Sequence, residues 1–301
     1  MFCSVILLTY NSSEYVAETL ESILAQNFKD FEVILADDGS TDNTRTICEQ
    51  FFAQHTSEFK RVTILPQEPN MGTSANCNRA VKAASGKWIK LIAGDDILHP
   101  ECLQRLYDEA VISNKKVYTG QFIKFHTEGD KKLEIGIFPT SKETEFFDKS
   151  ASEQHRQLLT DSFNMAPAVF LRRDLFTEIG MFDERFRLLE DLPYWIKLTR
   201  HGVKFYFIPH PVVYYRVNHE SAVFAGEKFY NPRFMDGLFE FREAVIYKEV
   251  PKTNIIFYQA EMMERLNYWV ITKVFGNKKS GLTKLVSKAI LFPTFKRFIR
   301  K

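Results

Sequence analysis

Apolar β-rich runs and helical periodicities take turns through the first hundred residues, and each run stops at a polar or acidic turn. SVILLTY (4–10) leads into Asn11-Ser12-Ser13-Glu14, a helix start, and Tyr15, Val16, Leu20, Ile23 and Leu24 follow at helical spacing over 14–26. FEVILA (31–36) ends at Asp37-Asp38-Gly39-Ser40, with a helix from Thr44 to near His55. RVTIL (61–65) is the third strand, a helix from Thr73 to Ala84 closes at Ser85-Gly86, and WIKLIA (88–93) runs into Gly94-Asp95-Asp96. Strands bounded by helices on this rhythm predict a mostly parallel sheet with right-handed crossovers. Ligands of such sheets bind beyond the carboxyl ends of the strands. Thr9-Tyr10-Asn11, Asp37–Ser40 and Gly94–Asp96 are therefore expected to share one crevice.

Beyond residue 100 the rhythm changes. Between 117 and 160 it loosens into short strands, Val117-Tyr118 and Gln121-Phe122-Ile123, and a charged stretch, HTEGDKKLE, which reads as a variable insertion beside the site. Helical signals return at 174–180 and 190–201, and a strand at 204–209. Residues 228–275 are largely helical in pattern, followed by a basic helical tail, Gly281 to Lys301, interrupted by Pro293. The expected division is a domain over 1–225 and a helical extension over 226–301.

With 45% hydrophobic and 26% charged residues among 301, the composition is that of a soluble globular protein. No uncharged apolar run reaches the length of about 18 residues that a spanning helix requires. MFCSVILLTYN lacks a basic flank and a small-residue cleavage site, and reads as a buried strand rather than a signal peptide. Cys3, Cys48, Cys77 and Cys102 have no metal-type spacing, so free thiols in a reducing cytosol are expected.

Adjacent carboxylates are costly to bury unless a cation or hydrogen bonds compensate them. Asp95-Asp96 closes an apolar strand, where it either caps a turn into the helix starting near Pro100 or holds a hard divalent cation. Glu190-Asp191 opens the amphipathic run Leu192–Leu198, where acids favour the helix dipole and cap free N–H groups. ADDGSTDNT (36–44) is by itself an ordinary turn signal. Gly39 argues against the D-x-D of an aspartyl-phosphate phosphatase, and the lack of a G-x-G-x-x-G argues against a dinucleotide cofactor.

LLTYN, FEVILADDGSTDNT, N-x-G (Asn70, Gly72), Asn78 eight residues before Gly86, LIAGDD and GMFDERFRLLEDLPYWIKL occur in this order between about residues 3 and 220. The series resembles family 2 of the inverting glycosyltransferases, which use nucleotide sugars and have the GT-A fold. The resemblance implies an α/β chain with a Rossmann-like, mixed but mostly parallel sheet flanked by helices. It further implies Mn2+ or Mg2+ held by Asp96, with Asp95 on the donor sugar or ribose, because a divalent cation neutralises the departing diphosphate. Asp38 then hydrogen-bonds the nucleobase, Thr9 with Tyr10 and Asn11 packs against base and ribose, and Glu14 and Asn78 belong to the same nucleotide-sugar set. Asp191 is the general base for the acceptor hydroxyl, Glu190 orients the acceptor or the loop, and in-line attack with a single base inverts the anomeric carbon. YYRVNHES (214–221) is similar to the family's Y-R-x-(x)-H segment, which sends Arg216 to the diphosphate and His219 to the metal. One departure stands out: the acid common two places before the last aspartate is here Gly94, so the cation is expected to depend on the phosphates.

The implied activity is transfer from a nucleotide diphosphate sugar, UDP-linked, to a glycan or lipid-linked acceptor in surface polysaccharide, lipopolysaccharide or capsule synthesis. A sugar nucleotidyltransferase would need a Gly-rich, Lys- or Arg-bearing loop after the first strand, which LTYNSSE is not. An inactive binding module would have lost acids, and both pairs are present. Residues 276–301 carry eight basic groups and no acid, whereas the other 275 carry 32 basic against 38 acidic. The tail is expected either to dock on the body or to touch an anionic membrane, which places the chain in the cytoplasm or peripherally on the inner face of the membrane. Nucleic acid is excluded by the net acidic body.

Overall fold

The computed structural model describes residues 1–66, 69–129, 131–217, 228–292 and 294. They belong to two compact units, Met1–Val217 and Asn218–Lys301. In the first, β1 (Cys3–Thr9), β2 (Phe31–Asp37), β3 (Val62–Pro66) and β4 (Trp88–Ala93) pair in parallel in the order β3-β2-β1-β4. Their connections are α1 (Val16–Leu24), α2 (Thr44–Gln54) and α3 (Thr73–Ala83). Every residue of β2 and all but Leu8 of β1 are buried, which explains why these strands read as unbroken apolar runs rather than alternating ones. Val16, Leu20 and Ile23 form the stripe with which α1 closes the core.

The sheet continues through β8 (Val169–Arg172), β6 (Val117–Glu128), β9 (Tyr206–Arg216) and β5 (Ile97–Leu98), with β7 (Lys131–Phe138) paired to β6 alone among the described residues. Here antiparallel pairs enter: β4 with β8, β8 with β6, β6 with β7, and β5 with β9. The helices of this half are α4 (Cys102–Ile112), α5 (Ser141–Asp148), α6 (Ala151–Thr160), α7 (Leu175–Glu178) and α8 (Asp191–Arg200).

Residues 117–160 therefore correct the sequence reading. They are no loose insertion: β6 is a continuous strand of 12 residues whose start is an interior strand of the sheet. Its register shifts after Thr119, after Gln121 and after Lys124, and each bulge breaks the alternation that would have revealed it. Of the charged stretch, residues 127–129 and 131–134 are exposed at the distal end of the β6–β7 hairpin, and Asp130 lies outside the described residues. α5 and α6 each begin with a capping box, Thr140 with Glu143 and Ser150 with Glu153.

The second unit holds α9 (Pro232–Phe241), α10 (Tyr247–Glu249), α11 (Ile255–Trp269) and α12 (Gly281–Leu291), with π-helical turns at Arg242–Ile246 and Val270–Val274. The basic residues Lys296, Arg297, Arg300 and Lys301 of the tail lie outside the described residues, as does Pro293.

Candidate active site

Polar side chains stitch together the loops that follow β1 and β2. Thr9 Oγ1 donates to Asp37 Oδ1 at 2.8 Å, and Asp37 also accepts the Ser40 N–H at 2.9 Å. Asn11, in the left-handed region at φ 50°, accepts the Thr41 N–H at 2.8 Å and donates its own N–H to Ser40 Oγ at 2.9 Å. The Thr9 hydroxyl is thus occupied inside the protein, while Tyr10 stands half exposed at the rim and Glu14 is exposed. Of the acids after β2, Asp37 closes its own turn.

Asp38 is buried and reaches further. Its two carboxylate oxygens accept the N–H groups of Met71 (2.9 Å) and Gly72 (2.8 Å), fixing the Asn70–Gly72 loop at the start of α3. Gly72 has φ +94°, and a Cβ there would lie 2.8 Å from the Arg187 carbonyl oxygen, so this loop and the segment before α8 meet backbone to backbone. Arg187 donates to the Met71 and Asn70 carbonyls at 3.1 and 2.9 Å, and Ser74 donates to the Phe186 carbonyl at 2.6 Å. Asn78, expected in the nucleotide-sugar set, completes the junction. Its amide donates to the Phe182 carbonyl and Glu184 carboxylate and accepts the Phe182 N–H. Both polar atoms of this buried amide hold the 182–184 segment in place.

Gly94, Asp95 and Asp96 turn sharply at the end of β4. A Cβ on Gly94 would lie 2.9 Å from Ser12 Oγ and 3.0 Å from Thr9 Cγ2. The missing acid at this position fits that crowding: a side chain here requires Ser12 and Thr9 to give way. Thr19 of α1 donates to the Asp96 carbonyl at 2.7 Å, and the Arg216 N–H donates to Asp96 Oδ1 at 2.9 Å. Asp96 is buried and Asp95 half-buried. Burial, with the neighbouring charge of Asp95, pushes the Asp96 carboxyl well above its usual range.

Arg216, expected at the diphosphate, is engaged within the protein. Its guanidinium is buried, donating to the Asp95 carbonyl (2.9 Å), Thr127 Oγ1 (2.6 Å) and Glu18 (3.0 Å). It lies 4.4 Å from the Tyr15 ring centroid and 4.6 Å from that of Phe125. Held this way, Arg216 braces the acidic turn from behind. Arg216→Leu is expected to lower stability by about 2–3 kcal/mol, because the stranded groups include a backbone carbonyl while Glu18 regains water. Denaturant melts check this, and an unchanged midpoint would refute the brace. His219, assigned to the metal, lies outside the described residues.

Glu190 and Asp191 stand at the start of α8, both half-buried, with Asp191 Oδ1 accepting the Leu192 N–H at 2.6 Å. Burial raises both carboxyls, and the charge of Asp191 pushes Glu190 up to about 7. A buried thiol and a partly buried phenol lie within electrostatic reach of these acids. The Cys77 thiol, raised by burial, also feels Glu190, Asp38 and Asp191. The Tyr215 phenol, raised by burial, also feels Asp96, Asp95 and Asp191. Asp191 is common to both sets, which agrees with the Arg187 and Ser74 contacts that hold the segment before α8 against the Asp38 loop. Tyr215 carries no signal of its own within YYRVNH, because strand alternation distinguishes it from Tyr214 only once the register of β9 is known.

A family model described as Glycosyl transferase family 2 matches residues 4–180. The chain belongs to this family. Among the relatives of this family-2 protein, GlyG of Streptococcus pneumoniae, a glycosyltransferase, is 34% identical over 122 residues, covering 40% of this chain and 39% of GlyG. EpsE of Bacillus subtilis is 26% identical over 232 residues, or 75% of this chain and 76% of EpsE. The structure of S. aureus TarS is similar with a TM-score of 0.59 and 22% identity, covering 90% of this chain and 44% of that one. TarS residues 1–349 in complex with UDP-GlcNAc gives a TM-score of 0.58 over 100% of this chain and 81% of that one. The chain thus spans less than half the length of GlyG and of the longer TarS chain. Its fold is that of the GT-A glycosyltransferases, as the motif order implied.

Proposed function

We propose that this protein transfers a sugar from a UDP-linked donor to an acceptor hydroxyl with inversion, in the synthesis of a surface glycan. The observation that carries this reading is the placement of Asp38 and Asp95-Asp96 at the carboxyl ends of parallel strands, with the segment that leads to Glu190-Asp191 held against the Asp38 loop by Arg187 and Ser74. Family membership supports glycosyl transfer, and the UDP and UDP-GlcNAc complexes of TarS support a uridine donor.

In the proposed reaction the Asp38 loop receives the nucleobase end, and Tyr10 and Asn11 border it. Asp191 accepts the proton of the attacking hydroxyl, and Glu190 keeps the acceptor side of the loop in place. The residues at the acidic turn fit a divalent cation: Asp96 is a buried carboxylate beside a second acid, and Arg216 offers it a backbone N–H while turning its guanidinium to Glu18. Asp96 would hold Mn2+ or Mg2+, with Asp95 beside it. Among the described residues no group of three or more His, Cys, Asp or Glu is placed to hold a metal. Donor oxygens must then complete the coordination, so affinity without nucleotide should be weak. When bound, such an ion neutralises the leaving diphosphate.

A nucleotide-sugar panel scored by release of free nucleotide, with and without Mn2+, tests the reading; no release from any donor in the presence of acceptor glycans would overturn it. The pH profile tests the acid pair. Asp191 must be ionised to act, so the rate rises with pH above the ordinary aspartate range. Ionisation of Glu190 at about pH 7 then adds charge beside the base and produces a second inflection. Glu190→Gln is expected to remove the inflection near neutrality and keep the lower one. A profile unchanged by that substitution counts against the pairing.

A further inference from the structure

In the second unit, two helices bury polar side chains while leaving large apolar ones outside. The buried positions of α11 and α12 include Glu261, Asn267, Thr283 and Ser287. Glu261 pairs with Arg242 at 3.2 Å, and the Asn267 amide nitrogen donates to Ser287 Oγ at 3.0 Å. Outside stand Met262 (62% exposed), Leu266 and Trp269 (56%) on α11, and Leu282, Leu285 (65%) and Phe292 (68%) on and just after α12. Met262, Leu266 and Trp269 follow i, i+4, i+7 spacing, and Leu282, Leu285 and Phe292 follow i, i+3, i+10, so each set is one stripe along its helix. Exposed Lys284 and Lys288, one turn apart, border the α12 stripe. From Val270 to Lys301 the sequence has nine Lys and Arg and no acid.

We infer that this face of α11 and α12 docks on an anionic membrane surface, lying in the headgroup layer. The apolar stripes enter the acyl boundary, Trp269 sits at the depth that interfacial tryptophans favour, and the lysines meet lipid phosphates. Among the described residues no helix is long and apolar enough to cross a membrane, which agrees with a surface-lying contact. A second copy of the chain is the poorer occupant, because an isologous dimer would bring two acid-free basic segments together. The contact moves the membrane-facing element from the extreme basic tail to the body of the helical unit.

Vesicle flotation of the full chain tests this without donor or acceptor, so its outcome is independent of the proposed reaction. The chain should float with vesicles of phosphatidylcholine mixed with phosphatidylglycerol and much less with phosphatidylcholine alone. Trp88 and Trp195 are buried, so a blue shift of tryptophan fluorescence on binding reports Trp269. Met262→Glu combined with Leu285→Glu should lower partition at least about tenfold. Lys284→Ala and Lys288→Ala should each lower it about fivefold. All these side chains are exposed, so circular dichroism should show the fold retained. Failure to float with the anionic vesicles overturns the proposal. So does flotation that survives the double Glu substitution but is lost when the chain is cut after Phe292. A dimer in light scattering that the double substitution dissolves, without vesicle binding, assigns the face to a second copy instead.

Discussion

Asp191→Asn is expected to reduce sugar transfer by about 10³-fold or more, with nucleotide affinity left within about twofold. The substitution preserves the shape of the side chain and an oxygen that can accept the Leu192 N–H, so α8 keeps its first turn. What it removes is basicity at the point where an acceptor hydroxyl must give up its proton. The bland explanation of this residue, an acid placed at a helix start for the dipole, predicts a different outcome: a small change in melting temperature and full activity. Single-turnover transfer and calorimetric nucleotide titration on the same preparation separate the two, and substantial transfer by the variant would remove Asp191 from the base role.

Asp96→Asn should move stability and function in opposite directions. Burying a carboxylate beside another acid is unfavourable in the absence of a cation, as its raised pKa reflects. The amide is nearly isosteric and can still accept the Arg216 N–H, so the ligand-free protein is expected to melt higher, by about 2–4 °C for each ~1 kcal/mol recovered. The same change should abolish the enhancement of UDP affinity by Mn2+, since Asp95 alone remains beside the phosphates. Thermal melts of the metal-free chain and calorimetry with and without Mn2+ check the two halves. A variant that melts lower and binds UDP with undiminished metal dependence contradicts both the burial argument and the ligand assignment.

The parallel half of the sheet was legible because its physics is local. β1 and β2 are buried on both faces, so their sequences are continuous apolar runs, and the turn that ends each is written in adjacent polar residues. β6 was not legible, because its three register shifts scramble the alternation on which a strand reading depends. The helices after it carried a readable signal that was passed over: T-x-x-E at Thr140 and S-x-x-E at Ser150 are capping boxes in plain sequence. Gly94 could be recognised as a departure from the motif, but the crowding it fits comes from Ser12 and Thr9, about eighty residues away in the chain.

The acids of the site were written in the order of residues: which carboxylates end strands, which pair opens α8, and which family shares that series. Their surroundings were not. Asn78 and Arg216 look as available in sequence as Asp38 or Asp191, yet the side chain of each is held inside the protein by groups more than a hundred residues distant, Phe182 and Asp95 among them. Folding engages the donors of these two side chains, whereas the Asp38 carboxylate keeps lone pairs beyond the two that Met71 and Gly72 occupy, and that is settled by long-range packing rather than by motif. The order of residues thus nominates the acids, and the three-dimensional hydrogen-bond network separates the groups that face the crevice from those that hold it open.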